Sequence, residues 1–151
     1  MLLSPSRADC VIFELEGVLA EMPAAAESED AGNENREAAN VKALYAGRWD
    51  KLPLPVGVVS SGSREEMERV LAAIGWEDLP ASHAANGGNS LEAVCKALGC
   101  TSPLVLGATS AMRETAARNE RADFVAIGRE INDCPRFTSA ADALRAILGV
   151  V

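Results

Sequence analysis

The run Cys10-Val11-Ile12-Phe13, which leads directly into Glu14-Leu15-Glu16-Gly17, constrains the fold of this chain more than any other segment. Four apolar or small residues in a row suit a strand buried on both faces, as in a parallel sheet. The two carboxylates, one residue apart, then fall at its carboxyl end. Open α/β folds bind their ligands beyond that end of the strands, so Glu14 and Glu16 are the first candidate site residues.

Strand and helix signals alternate along the rest of the chain, the pattern of a parallel sheet covered by helices. Strands are expected over 9–13, 55–60, 103–107 and 123–128, with a weaker one over 79–84. The second, Val56-Gly57-Val58-Val59-Ser60, is short, β-branched and followed by Ser61-Gly62-Ser63. A helix should start there, because Ser63 and Glu66 have the spacing of a capping box and Met67, Val70, Leu71 and Ile74 share one face before Gly75 ends it. Leu91, Val94, Cys95 and Leu98 repeat that spacing behind a cap at Asn89 or Ser90. Further helices are expected over 109–119 and from a cap at Thr138 or Ser139 to Leu148. The expected fold is a Rossmann-like α/β three-layer sandwich with a mostly parallel five-stranded sheet.

At 151 residues the chain makes one domain, 1–151. Aromatics are only 4% of it, so the core must be mainly aliphatic. A net charge of −8, with no Lys/Arg cluster, excludes nucleic acid and anionic membrane as expected partners. No stretch has the length or hydropathy to span a bilayer, and the first residues lack a basic leader with an apolar run, so a cytoplasmic protein is expected. Cys10, Cys95, Cys100 and Cys134 contain no CxxC pair, and His83 is far from all of them. Neither a zinc site nor a disulfide framework is expected.

The span 21–54 interrupts the alternation. It opens with an acidic, small-residue stretch that should be partly mobile, and a helix is expected over 35–46.

With the strands placed, the chain resembles the haloacid dehalogenase (HAD) superfamily of phosphatases and related hydrolases over nearly its whole length. Phe13-Glu14-Leu15-Glu16-Gly17-Val18-Leu19 is similar to the first family motif, DxDGTL, and Val58-Val59-Ser60-Ser61-Gly62 to the second, a strand ending in Ser or Thr. Leu104-Val105-Leu106-Gly107-Ala108-Thr109 occupies the place of the fourth, and Ala126-Ile127-Gly128 resembles the last strand. The resemblance implies that Glu14 stands for the nucleophile and Glu16 for the acid/base, with Ser60 as the third catalytic position. Ser60, Ser61 and Gly62 would bind the substrate phosphate, Ser61-Gly62 through backbone amides at a helix start. It also places the insertion 21–54 where family members carry a cap, and this one is too short for a large cap. An open site of that kind suits large substrates or partners.

The same resemblance marks losses. Each glutamate carries an extra methylene, which moves its oxygens by about 1.5 Å, one carbon-carbon bond. A displacement of about 1 Å can lower a rate on the order of a hundredfold. The family holds Mg²⁺ with aspartates of the fourth motif, where this chain has Ala108 and Met112, neither able to bind a hard cation. Ala85 stands where the third motif has its lysine. No metal or other cofactor is therefore expected. Glu114, Glu130 or Asp133 could supply a replacement carboxylate, while Trp49 and Trp76 read as packing anchors.

The preferred reading is a HAD-like domain without Mg²⁺-dependent phosphatase activity that serves a binding or regulatory role, with a phosphorylated small molecule or a protein as partner. The competing reading is a divergent hydrolase using Glu14 and Glu16. A receiver-like domain is a third, weakened by the lack of an aspartate at the end of a later strand.

Overall fold

The computed structural model describes residues 8–21, 42–45, 47, 49–79, 81–84, 90–119, 121–128 and 136–148. Eight strands are present among them: β1 (Cys10–Glu14), β2 (Ala20–Glu21), β3 (Lys42–Ala43), β4 (Val56–Ser60), β5 (Ala81–Ala84), β6 (Pro103–Gly107), β7 (Asp123–Ile127) and β8 (Arg136–Phe137). Four α-helices join them: α1 (Arg64–Ala73), α2 (Ser90–Leu98), α3 (Ser110–Ala117) and α4 (Ala140–Leu148).

Six strands form one parallel sheet in the order β5-β4-β1-β6-β7-β8, with β1 between β4 and β6. Val11 lies opposite Val56 on one side and Leu104 on the other, and every residue of β1, β4 and β6 is buried. Continuous apolar sequence is what such strands require, since helices cover both faces.

The period of two along each strand splits the core into two layers. Val11, Phe13, Val56, Val58, Leu104 and Leu106 pack with Met67, Val70 and Leu71 of α1 and with Ala143, Leu144 and Ile147 of α4. Cys10, Ile12, Val59 and Val105 face the opposite way, onto Leu91, Val94 and Cys95 of α2 and Met112 and Ala116 of α3. Gly57 permits the close approach of α2, because a Cβ there would lie 2.2 Å from the Val94 Cγ1. Three aromatics converge in the first layer. Trp76 meets the Phe13 ring edge-on at 5.6 Å, and Tyr45 stacks on Phe13 at 5.7 Å.

Three helix starts agree with the sequence, while the cap expected at Asn89 lies outside the described residues. The Ser63 hydroxyl accepts from the Glu66 amide at 3.1 Å and caps α1, Thr109 caps α3, and the Ser139 hydroxyl accepts from the Asp142 amide at 3.2 Å. Gly75 and Gly99 follow helices with φ of 83° and 70°.

Three expectations are corrected. The sheet has a sixth strand, because Arg136 and Phe137 pair with Ala126 and Ile127 at its edge. Within the helix expected over 35–46, Lys42 and Ala43 instead pair antiparallel with Glu21 and Ala20, while 35–41 and 46 lie outside the described residues. Apolar spacing in that window is equally compatible with a short strand whose partner is distant in sequence. Finally, Cys10 and Cys100 form a disulfide, their Cα atoms 6.2 Å apart. The β1–β6 register, which sets Cys10 beside Pro103, brings together two cysteines separated by 90 residues.

No helix among the described residues is long and apolar enough to cross a membrane.

Candidate functional site

The strand order reverses direction at β1: the chain passes from β1 to β4 and β5 on one side and returns to β6, β7 and β8 on the other. A crevice opens at such a point beyond the carboxyl ends of the strands. Glu14 and Glu16 at the end of β1, Ser60 at the end of β4, and Ala108-Thr109 after β6 all stand at this edge of the sheet. The structure therefore brings together Glu14, Glu16, Ser60, Ser61 and Gly62.

Glu14 is the last residue of β1 and only 4% exposed. Its Oε1 accepts from the backbone amides of Ala108 at 2.7 Å and Thr109 at 3.1 Å, and its Oε2 accepts from the Thr109 hydroxyl at 2.6 Å. The carboxylate thus sits on the amino end of α3, where the helix dipole favours negative charge. Burial nevertheless raises the Glu14 pKa. The three hydrogen bonds oppose the shift, and the charge of Glu16 adds to it.

Glu16 is half-buried in the turn that follows β1. That turn is closed by the amides of Leu19 and Ala20 on the Leu15 carbonyl and by the Gly17 amide on the Ala20 carbonyl. Gly17 has φ 86°, and a Cβ on it would stand 2.9 Å from the Ala108 Cβ, so glycine is needed for both conformation and space. The turn aims Glu16 across β4. The Ser60 hydroxyl donates a hydrogen bond to the Glu16 Oε2, and the Ser61 amide donates to Oε1 at 3.2 Å. Ser60 is itself 4% exposed and also accepts from the Gly62 amide at 3.1 Å.

The donors that ring the crevice are engaged by the chain's own carboxylates. Glu16 takes the Ser60 hydroxyl and the Ser61 amide, the Gly62 amide is turned onto Ser60, and Glu14 takes the two amides and the hydroxyl at the start of α3. The residues do not fit the Mg²⁺ that the resemblance implies. Both Glu14 oxygens face hydrogen-bond donors, Ala108 offers a methyl group against Gly17, and Met112 is buried at 6% exposure in the second core layer. A hard cation needs several oxygen ligands, and these positions provide hydrogen-bond donors and apolar groups.

Of the other sequence candidates, Glu114 is an exposed residue of α3, and Glu130, Asp133 and Ala85 lie outside the described residues. Trp76 is a core residue at 1% exposure, while Trp49 packs against the core edge and donates from Nε1 to Asp78 at 3.2 Å. Sequence reasoning places Thr109 at the end of the segment that stands for the fourth motif and at the start of a helix, with no role for its side chain. Its hydroxyl in fact joins Glu14 to the Met112 amide, a role signalled by a cap residue placed directly after a strand that neighbours β1.

No family model and no curated protein matches the sequence. Solved structures do. A HAD-superfamily hydrolase of subfamily IA from Geobacter sulfurreducens aligns with a TM-score of 0.71 at 15% identity, over 93% of this chain and 100% of that one. A HAD family hydrolase from Deinococcus radiodurans, solved with bound phosphate and sodium, aligns at 0.68 and 14% identity, over 95% of this chain and 96% of that one. DsGPDH of Dunaliella salina aligns at 0.60 and 12% identity, with 95% of this chain matching 29% of that longer one. The chain has the HAD-like fold.

Proposed function

We propose that this HAD-like domain does not carry out Mg²⁺-dependent phosphoryl transfer and instead serves a binding or regulatory role. The observation that carries the proposal is the Glu16 carboxylate on the Ser60 hydroxyl and the Ser61 amide. In this fold those groups would receive the phosphate, and here an internal anion holds them.

Electrostatics support the same reading. A phosphate entering the crevice would face two carboxylates, each repelling a unit charge at 4 Å by roughly 4 kcal/mol at an effective dielectric of 20. Neither a cation ligand set nor a lysine at position 85 offsets this repulsion. A protein partner therefore suits the crevice better than a phosphorylated small molecule.

The test is a screen of generic phosphomonoesters with and without Mg²⁺, run on the parent chain and on Glu14→Gln. The expected result is a rate at the uncatalysed background in every condition. Mg²⁺-dependent turnover that Glu14→Gln abolishes would establish the divergent hydrolase instead.

A further inference from the structure

A second cluster of reactive side chains lies at the opposite end of β1. Cys10 opens the strand, four residues before Glu14, which separates the two sites by about 13 Å at the usual rise per residue. The sulfurs of Cys10, Cys95 and Cys100 all lie within 4.8 Å of one another. Each comes from a different part of the fold. Cys10 projects from β1 into the second core layer, Cys95 comes from the inward face of α2, and Cys100 follows the Gly99 turn that ends that helix. Backbone bonds fix the turn: the Cys100 amide donates to the Cys95 carbonyl at 3.0 Å and the Gly99 amide to the Lys96 carbonyl at 3.2 Å. Asp9 ties the following segment to β1, accepting from the amides of Thr101 and Ser102, each at 2.8 Å.

We propose that the reduced chain binds one thiophilic d10 divalent cation, of the Zn²⁺ class, through Cys10, Cys95 and Cys100. Zinc-bound thiolates lie about 3.8 Å apart, given Zn–S bonds of about 2.3 Å in a tetrahedron. All three sulfurs lie within 4.8 Å of one another, and once the Cys10–Cys100 bond is reduced those two sulfurs move apart to that spacing beside Cys95. Cys10 and Cys95 are closed off at 0% and 7% exposure, whereas Cys100 is only half-buried, so a water molecule can complete the tetrahedron from its side. Three sulfur ligands with a fourth tetrahedral position open to water suit an ion of the Zn²⁺ class. The ion and the Cys10–Cys100 disulfide are alternative uses of the same sulfurs.

The experiment uses the full chain, reduced with a phosphine under anaerobic conditions and titrated with Zn²⁺ against a chromophoric chelator. One ion per chain is expected. Cys95→Ser should weaken binding at least about a hundredfold, the upper end of the loss seen when even an outer hydrogen-bond partner of a metal ligand is removed. Cys134→Ser should leave the affinity unchanged. Cd²⁺ provides a measurement that needs no variant, since the intensity of its thiolate charge-transfer band should correspond to three sulfurs per ion. Failure of the reduced chain to take up zinc, an affinity indifferent to Cys95→Ser, or a Cd²⁺ band of two sulfurs or fewer would overturn the proposal. So would a chain that keeps Cys10 and Cys100 bonded under the reductant and takes up no ion.

Discussion

The Ser60 hydroxyl donates to the Glu16 carboxylate across 44 residues of sequence, tying the turn after β1 to the end of β4. The bond lets two residues that the family resemblance would direct at a phosphate satisfy each other. The crevice is consequently lined by donors whose acceptors are already in place, and both its stability and its chemistry should depend on that pairing.

Removing the Ser60 hydroxyl should be measurable in stability. Ser60→Ala leaves the Glu16 Oε2 without its donor and the Gly62 amide without its acceptor, and a loss of about 1–2 kcal/mol is expected. In a cycle with Glu16→Gln, urea unfolding should give a coupling of at least about 0.5 kcal/mol, as for residues in direct contact. Additive effects would mean that the bond contributes little.

Glu14 should make stability fall as pH rises. Burial raises its pKa above the ordinary 4.5, so the folded chain holds this proton more tightly than the unfolded chain does. That contribution is complete below the ordinary value and is lost as pH rises through the folded one. Glu14→Gln removes the charge while keeping an oxygen for the Ala108 and Thr109 amides. The variant should gain in stability relative to the parent as pH rises from about 4 to about 8, and the gain should vanish towards about pH 4. Denaturant unfolding at several pH values would check this, and a gap independent of pH would contradict it.

Much of the fold could be read from short-range patterns, and the reasons are local. Cys10 to Phe13 announces a buried strand because every residue is apolar or small, and Ser63 announces a helix because its hydroxyl reaches an amide three residues on. What escaped were contacts set by register between distant segments. Arg136 and Phe137 carry no strand pattern in two residues and owe their pairing to β7, and Lys42 and Ala43 owe theirs to β2. That Glu14, Glu16 and Ser60 stand together at neighbouring strand ends was legible from spacing and resemblance. That each carboxylate would occupy a neighbour's donors depends on how the turns after β1, β4 and β6 meet, which no single segment encodes. Thr109 and the sulfur cluster escaped for the same reason.

Two glycines with nearly equal backbone angles should respond differently to alanine. Gly75 has φ 83° and open space where a Cβ would stand, with nothing within 4 Å, whereas Gly17 has φ 86° and the Ala108 Cβ at 2.9 Å from that position. Gly75→Ala should lose about 1 kcal/mol, from backbone conformation alone. Gly17→Ala adds overpacking and should lose about 1–3 kcal/mol more. Thermal unfolding of the two variants would show the difference.

The aromatic trio should be a main anchor of the first core layer. Trp76 is 1% exposed and meets Phe13 and Tyr45 edge-on, at 5.6 and 6.2 Å. Trp76→Ala is expected to destabilise the chain by about 3–5 kcal/mol, and Trp76→Phe by less. Urea midpoints for both variants provide the check, and equal losses would show that ring volume is not what matters there.

The most direct test of the account follows the side-chain carboxyl resonances of Glu14 and Glu16 by carbon NMR while Mg²⁺ is added to the chain, first alone and then with inorganic phosphate. The account predicts that both stay where they are, because their oxygens remain on the Ser60, Ser61, Ala108 and Thr109 donors. A saturable Mg²⁺-dependent shift at Glu14 would contradict it.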